Sequence, residues 1–267
     1  MICDALSPLE APALGEAATD GTCADLGLEV AGRAGLTWPD VGISRTLTLP
    51  RARGEIGLRH GWIAARAAVA AVRSGGASGY LGVDGEALLP EIQVAEARVG
   101  WGRFGIAVGA GVVDDPWVVS GDIAWDLRMV APIAAELDGW NDRSDLGGWV
   151  AWTAPGRLLT ARVDLTTGEG ARFRERNEGK DLAGSLTAQT VDGTLAATVY
   201  GRDGSRGLGL AQDRRAGARV SARLGWVGLG GEALAAWGVD GDATRAPVAG
   251  SAWLTARGPG IALGFAR

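Results

Sequence analysis

From Gly217 to Trp226 the chain alternates strictly between two kinds of residue. Gly217, Arg219, Ser221, Arg223 and Gly225 fall on one face of an extended strand. Ala216, Ala218, Val220, Ala222, Leu224 and Trp226 fall on the other. A twofold period gives a strand two unlike faces, one polar or tiny and one apolar. The pattern recurs over most of the chain in segments of roughly 8–12 residues, the length that crosses a bilayer as a tilted strand.

The segments with this period are 51–60, 61–73, 91–101, 103–113, 145–154, 157–167, 181–191, 194–203, 215–226, 229–239, 247–257 and 260–267. They group into hairpins around glycine-bearing turns: His60-Gly61, Gly100-Trp101-Gly102, Pro155-Gly156, Asp192-Gly193, Val227-Gly228 and Gly258-Pro259-Gly260. Asp-Gly is the strongest two-residue turn signal among them. Longer polar connections separate the hairpins at 74–90, 114–144, 168–180, 204–214 and 240–246. Regular alternation of short turn and long loop is the plan of a membrane barrel.

The apolar faces are consistent from strand to strand. Leu159, Ala161, Val163 and Leu165 oppose Thr160, Arg162, Asp164 and Thr166; Leu195, Ala197 and Val199 oppose Thr194, Thr198, Tyr200 and Arg202. Trp62, Trp101, Trp152 and Trp226 fall near the tight turns and Trp237 toward the opposite end. They are expected to form aromatic girdles, since Trp prefers the water–lipid boundary. A soluble sandwich would instead call for an exterior rich in Lys and Glu, and Lys180 is the only lysine. The expected fold is all-β: a transmembrane antiparallel up-and-down β-barrel of about 12 strands over residues 41–267. An acidic, mostly irregular segment over residues 1–40 precedes it, with at most a short strand near Leu26–Val30.

The net charge of −5 is uneven. Residues 1–40 carry seven acids against Arg33, a net of −6, and 114–145 carry eight acids against Arg128 and Arg143, again −6. The remainder is therefore +7, since −5 + 6 + 6 = 7. There is no basic tail and no interleaved basic–aromatic patch, so nucleic acid is not an expected partner. No run of 18 apolar residues encodes a transmembrane helix. Met1 leads into Ile2, Cys3 and Asp4 without a basic stretch followed by an apolar one, so an exported protein is expected to be in processed form. Cys3 and Cys23, the only cysteines, can close a disulfide in an oxidising compartment.

The stretch Glu96-Ala-Arg-Val-Gly-Trp-Gly-Arg-Phe-Gly, followed by a long loop and then Ser144-Asp145-Leu146-Gly147, resembles the pattern of the phosphate-selective porins. There a "GRF" hairpin precedes a long loop and a strand opening on an "R-D-x-G"-like start. The resemblance covers about a quarter of the chain and implies a bacterial outer-membrane barrel of the anion-selective porin kind. The chain departs from those porins in having about 12 strand segments rather than 16, and in lacking their Lys-rich lumen. Phosphate selectivity is therefore not implied.

If the apolar face meets lipid, the other face lines a lumen. The residues expected there are Arg53, Glu55, Arg59, Arg66, Glu96, Arg98, Arg103, Arg162, Asp164, Arg202, Arg219, Arg223, Glu232 and Arg257: ten arginines against four acids. An Arg-lined passage favours anions over cations. Cross-strand pairing can equally neutralise these charges in a closed interior. The acidic loop can fold inward as a plug or constriction, through Asp114, Asp115, Trp117, Asp122, Asp126, Glu136 and Asp138, with a short helix at Leu127–Leu137.

Two functions fit. One is a porin-like passive channel for small anionic solutes in the bacterial outer membrane. The other is a largely closed structural barrel anchoring an envelope-spanning complex for secretion, adhesion or gliding motility. The expected partners are outer-membrane lipid and, in the second case, periplasmic or outer-membrane proteins. No cofactor, metal or enzymatic role is expected. His60 is the only imidazole, Ser44 and Ser74 lack a supporting pattern, and Asp240-Gly-Asp242 lacks the further ligands of a calcium loop. Twelve strands would also place both termini on the side of the long loops, the reverse of the usual barrel orientation.

Overall fold

A computed structural model describes residues 22–37, 44–75, 86–125, 140–168, 178–206, 210–238, 246–258 and 261–266, together with Ile133, Ala135, Gly170 and Thr244. Thirteen strands follow one another in a single sheet, ordered β1 to β13, each hydrogen-bonded antiparallel to the next in sequence. They are β1 (Thr22–Thr37), β2 (Ser44–His60), β3 (Ile63–Gly75), β4 (Glu86–Trp101), β5 (Ile106–Asp114), β6 (Ser144–Thr153), β7 (Leu159–Thr166), β8 (Asp181–Gln189), β9 (Leu195–Arg206), β10 (Ala211–Leu224), β11 (Val227–Trp237), β12 (Val248–Gly258) and β13 (Ile261–Ala266). An α-helix, α1 (Pro116–Trp125), leaves the end of β5. Among the described residues no pairing joins β13 back to β1, so the sheet is an open wall there.

The twelve expected segments correspond to β2–β13 and all six expected hairpins form, but the fifth turns at Gly225-Trp226 rather than at Val227-Gly228, which pair with Leu224 and Arg223 at the start of β11. The larger difference is β1. Sixteen residues of the segment expected to be mostly irregular form a strand, and fifteen of them pair with β2 from Thr22 opposite His60 to Thr37 opposite Ser44, with a register shift between Ala31 and Arg33. Ala24, Leu26 and Leu28 are exposed there, while Cys23, Asp25 and Gly27 are half-buried, so the twofold period begins some thirty residues before Arg51. The thirteenth strand also changes the parity. The start of β1 lies at the tight-turn end of the sheet, while β13 runs from that end toward the long-loop end as far as Trp253, halfway along β12. Cys3, half of the expected disulfide, lies outside the described residues.

The tight turn between β8 and β9 is longer than its Asp192-Gly193 core. Gln189 is the last residue of β8 and Leu195 the first of β9. Gly193 adopts φ 67°, a left-handed conformation that glycine takes freely. The Asp192 carboxylate accepts hydrogen bonds from the Thr190 hydroxyl (2.6 Å) and the Thr194 amide (3.0 Å), which closes the loop on itself.

Side chains sort cleanly by face. On the outer face Leu58, Val69, Ile92, Val150, Val163, Leu186, Val199, Val220, Leu229 and Leu254 are all exposed. A band this continuous is far larger than isolated exposed apolar residues on a soluble surface. In β10 it runs from Ala216 to Leu224, with Trp226 in the turn beyond. The eight strand steps of about 3.3 Å, at the roughly 35–45° tilt of membrane strands, span about 20 Å. The band stops at the long-loop end with an exposed ion pair, Arg214 to Asp203 at 2.6 Å. Trp62, Trp101, Trp152 and Trp226 are exposed at the opposite, tight-turn end.

Candidate functional site: the inner face and the helix it holds

The inner face carries ionised side chains that are buried and paired. Arg66 of β3 stands directly opposite Glu96 of β4 and lies 3.3 Å from it. It also reaches Glu55 at 3.5 Å and donates to Asp114 at 2.6 Å. Arg53 pairs with Glu55 at 2.8 Å. The Glu96 carboxylate accepts a hydrogen bond from the Trp149 indole at 3.1 Å. Arg162 chelates Asp164, two residues along β7, and its guanidinium lies 4.9 Å from the centre of the Trp149 ring. Arg202 holds Asp181 through its Nε at 2.6 Å, and Arg215 holds Asp213 at 2.5 Å. A carboxylate or guanidinium removed from water needs such a partner, because desolvation of an isolated charge costs several kcal/mol.

The first part of the acidic loop, Asp114–Trp125, packs against this face. Asp115 caps α1, its Oδ1 accepting from the amides of Trp117 (2.8 Å) and Val118 (3.1 Å). Pro116 follows at the first helical position, where its missing N–H is no loss. The other carboxylate oxygen of Asp115 accepts from the Tyr200 hydroxyl at 3.0 Å and the Asn141 amide at 3.1 Å. The helix therefore starts fixed to β9.

Trp117 and Val118, both fully buried, pack with Ala183, Tyr200 and Leu234 of β8, β9 and β11. Gly217 makes the close approach of Trp117 possible: a Cβ there would lie 2.7 Å from Leu234 and 3.0 Å from the Trp117 ring. At the far end of the helix Trp125 meets Trp253 of β12 edge-on, with ring centres 6.1 Å apart. The ten residues of α1 span about 15 Å. The helix thus lies along the inner face from the long-loop end toward the tight turns.

Arg219 locks it there. Its guanidinium lies over the Trp117 ring, bonds Glu232 at 2.6 and 2.8 Å, and donates to the Trp117 carbonyl (3.1 Å) and the Ser120 hydroxyl (2.7 Å). Glu232 is in turn hydrogen-bonded by Ser251 at 3.0 Å. One side chain thereby ties β10, β11 and α1 together.

Most of the residues expected on the inner face are found there: Arg53, Glu55, Arg66, Glu96, Arg98, Arg162, Asp164, Arg202, Arg219 and Glu232 on paired strands, and Arg59 close to a turn, where it donates to Gly61 O at 3.2 Å. Two differ. Arg103 is exposed in the turn after β4, beside Phe104, because β4 ends at Trp101 and β5 starts only at Ile106. Arg223 is exposed near the tight-turn end and borders a cavity. The Arg257 side chain and the whole of Asp126, Glu136 and Asp138 lie outside the described residues. So does most of the helix expected at Leu127–Leu137. Asp114 and Asp122 take part in ion pairs, Asp122 with Arg143 at 2.8 Å, while Trp237 is half-buried at the end of β11.

Sequence reasoning missed Asp181, Asp213, Arg143 and Arg215. Asp213 fell in a stretch read as loop because β10 begins at Ala211, earlier than its alternation is evident. These four add two acids and two arginines, so they deepen the pairing of this face without changing its excess of arginine.

Two cavities flank the helix. At the long-loop end a small one, about 20 Å³, is bordered by Asp114, Asp115, Asp142, Asp145 and Asp164, with Arg202. At the tight-turn end a larger one, about 180 Å³, is bordered by Arg157, Arg162, Arg219 and Arg223 and by several Ser and Thr hydroxyls, with no carboxylate among its lining residues. The two cavities thus differ in their linings, acidic at the long-loop end and basic and hydroxylic at the tight-turn end.

An up-and-down antiparallel meander with a tall exposed apolar band outside and paired charges inside is the architecture of a transmembrane β-barrel wall. No family model matches the chain, and no curated protein matches it. Among solved structures it is similar to a multiply substituted mutant of the Rh. blastica porin, with 14% identity, 91% of this chain and 93% of that chain covered, and a TM-score of 0.39. It is similar also to a triple mutant of the Rhodopseudomonas blastica porin, with 13% identity, the same coverage and a TM-score of 0.39.

Proposed function

We propose that the protein is a bacterial outer-membrane barrel of porin-like function, passing small anionic solutes along an inner face narrowed by α1. The observation that carries this reading is the cavity beside the helix at the tight-turn end. It is bordered by four arginines, and no carboxylate is among its lining residues. Positive side chains bordering a passage lower the barrier for anions and raise it for cations. The exposed apolar band and the Trp residues at the tight-turn end support lipid as the surrounding partner. Reconstitution into planar bilayers under a potassium chloride gradient tests the reading. Stepwise conductance with a reversal potential on the chloride side supports it; bilayers that stay silent at high protein load sink it.

A second reading has its own support. The dense pairing of Arg66, Arg162, Arg202 and Arg219 with buried carboxylates suits a closed wall that anchors periplasmic or outer-membrane proteins. Silent bilayers together with defined co-purifying envelope proteins would favour it.

A further inference from the structure

Charge is divided between the two ends of the wall. Five of the six tight turns lie in stretches without a carboxylate side chain: 56–83, 97–113, 146–163, 214–231 and 243–267. The sixth, between β8 and β9, carries Asp192, which its own turn engages through Thr190 and Thr194. Arginines stand in or beside four of these turns: Arg59, Arg103, Arg157 and Arg223. Asp25, a further acid toward this end, belongs to the edge strand β1, three strands from β4. At the other end, residues 114–145 alone carry eight acids.

At the turn between β4 and β5 this basic rim meets the edge of the apolar band. Trp101 on β4, Ile106 on β5 and Trp152 on β6 stand opposite one another, and both tryptophans are exposed. Trp62, exposed in the turn between β2 and β3, has its ring centre 6.3 Å from that of Trp101, and its carbonyl accepts from the Gly100 amide at 2.9 Å. The turn after Trp101 closes on itself, the Phe104 amide donating to the Trp101 carbonyl at 2.9 Å and the Gly105 amide to the Gly102 carbonyl at 3.2 Å. Arg103 sits in it, exposed, with its guanidinium 5.7 Å from the centre of the exposed Phe104 ring. Tryptophan marks the level where hydrocarbon gives way to headgroups. A guanidinium two residues past that row is at the level of lipid phosphate, and its planar fork of N–H donors suits phosphate oxygens.

We propose that the tight-turn rim is a docking surface for anionic phospholipid, with the phosphate at Arg103 and the acyl chains along the apolar band beside Trp62 and Trp101. A zwitterionic headgroup brings its own cation to a rim that already holds four arginines; an anionic one does not. The inference rests on the apolar band facing lipid and is independent of the channel reading.

Native mass spectrometry of the delipidated protein tests it, with phosphatidylglycerol and phosphatidylcholine of identical chains as probes. The first phosphatidylglycerol should bind about fivefold more tightly than the first phosphatidylcholine, equivalent to roughly 1 kcal/mol for one arginine near a charged surface. Arg103→Gln should remove most of that preference. Arg214→Gln, which takes away an exposed arginine at the long-loop end, should leave it intact. Equal binding of the two lipids overturns the proposal and leaves the lipid-facing band standing; binding of neither overturns both. An equal fall in the two variants also overturns it, because net charge alone would then set the preference. Competition by glycerol 3-phosphate would reveal a site for free phosphate and count against a lipid. Chloride conductance bears on the channel alone. Matching thermal unfolding of the variants shows that a lost preference is not a lost fold.

Discussion

The Arg219 guanidinium lies 3.9 Å from the centre of the Trp117 ring, and this contact joins the helix to the sheet. Arg219 bonds Glu232 on the neighbouring strand and two acceptors on α1 at once. In the proposed channel, whatever holds the helix also decides how wide the passage beside it is.

Trp117→Ala should loosen α1. Loss of a fully buried Trp typically costs about 3–5 kcal/mol, here taken from the packing between helix and sheet rather than from the strand ladder. Single-channel conductance should rise severalfold, and deletion of residues 118–142 should raise it further. Gly217→Val should act in the same direction, since even a Cβ at this position meets Trp117 and Leu234. Unchanged conductance in all three would show that α1 does not limit the passage.

Arg219→Ala and Glu232→Ala should each destabilise the protein by about 3–5 kcal/mol, because each leaves a buried charge without its partner. The double variant should cost much less than the sum, a coupling measurable as a double-mutant cycle in urea unfolding from micelles. Additive losses would mean that the pair acts separately.

Asp192 should titrate low. The Thr190 hydroxyl, and then the Thr194 side chain and amide, hold its carboxylate down to about 2, below its usual 3.8. A depressed folded value means that the turn is favoured wherever the unfolded carboxyl is ionised, above about pH 4, and that this contribution fades as pH falls through about 2. Carboxyl carbon shifts across pH 1–5 read the titration. Asp192→Asn should remove the pH dependence while the Thr190 amide to Leu195 carbonyl bond remains.

Much of the wall was legible because strands have a period of two, and a barrel repeats one strand pattern many times. Hairpin positions followed from Gly61, Gly156 and Gly193, all at positive φ in the turns. β1 was missed although Ala24, Leu26 and Leu28 alternate with Asp25 and Gly27, because the acidic composition of residues 1–40 outweighed the period. The helix α1 was not foreseen, and the one expected at Leu127–Leu137 lies mostly outside the described residues. Asp115-Pro116, a capping residue followed by Pro at the first helical position, marked the correct start. The partners of the inner charges were the least legible part. Arg66 meets Asp114 forty-eight residues away, and Arg219 reaches Trp117 O across 102 residues; no local spacing encodes such contacts.

The most direct measurement is a spin-label scan along β10. Single cysteines at residues 216–224, with Cys3 and Cys23 replaced, are labelled and reconstituted into liposomes. Accessibility to oxygen, which dissolves in lipid, should peak at 216, 218, 220, 222 and 224 and fall at 217, 219, 221 and 223. A water-soluble nickel reagent should be excluded from the first set. A flat profile, or oxygen maxima on the side of Arg219 and Arg223, would contradict a barrel wall with its Ala218–Val220 face in lipid.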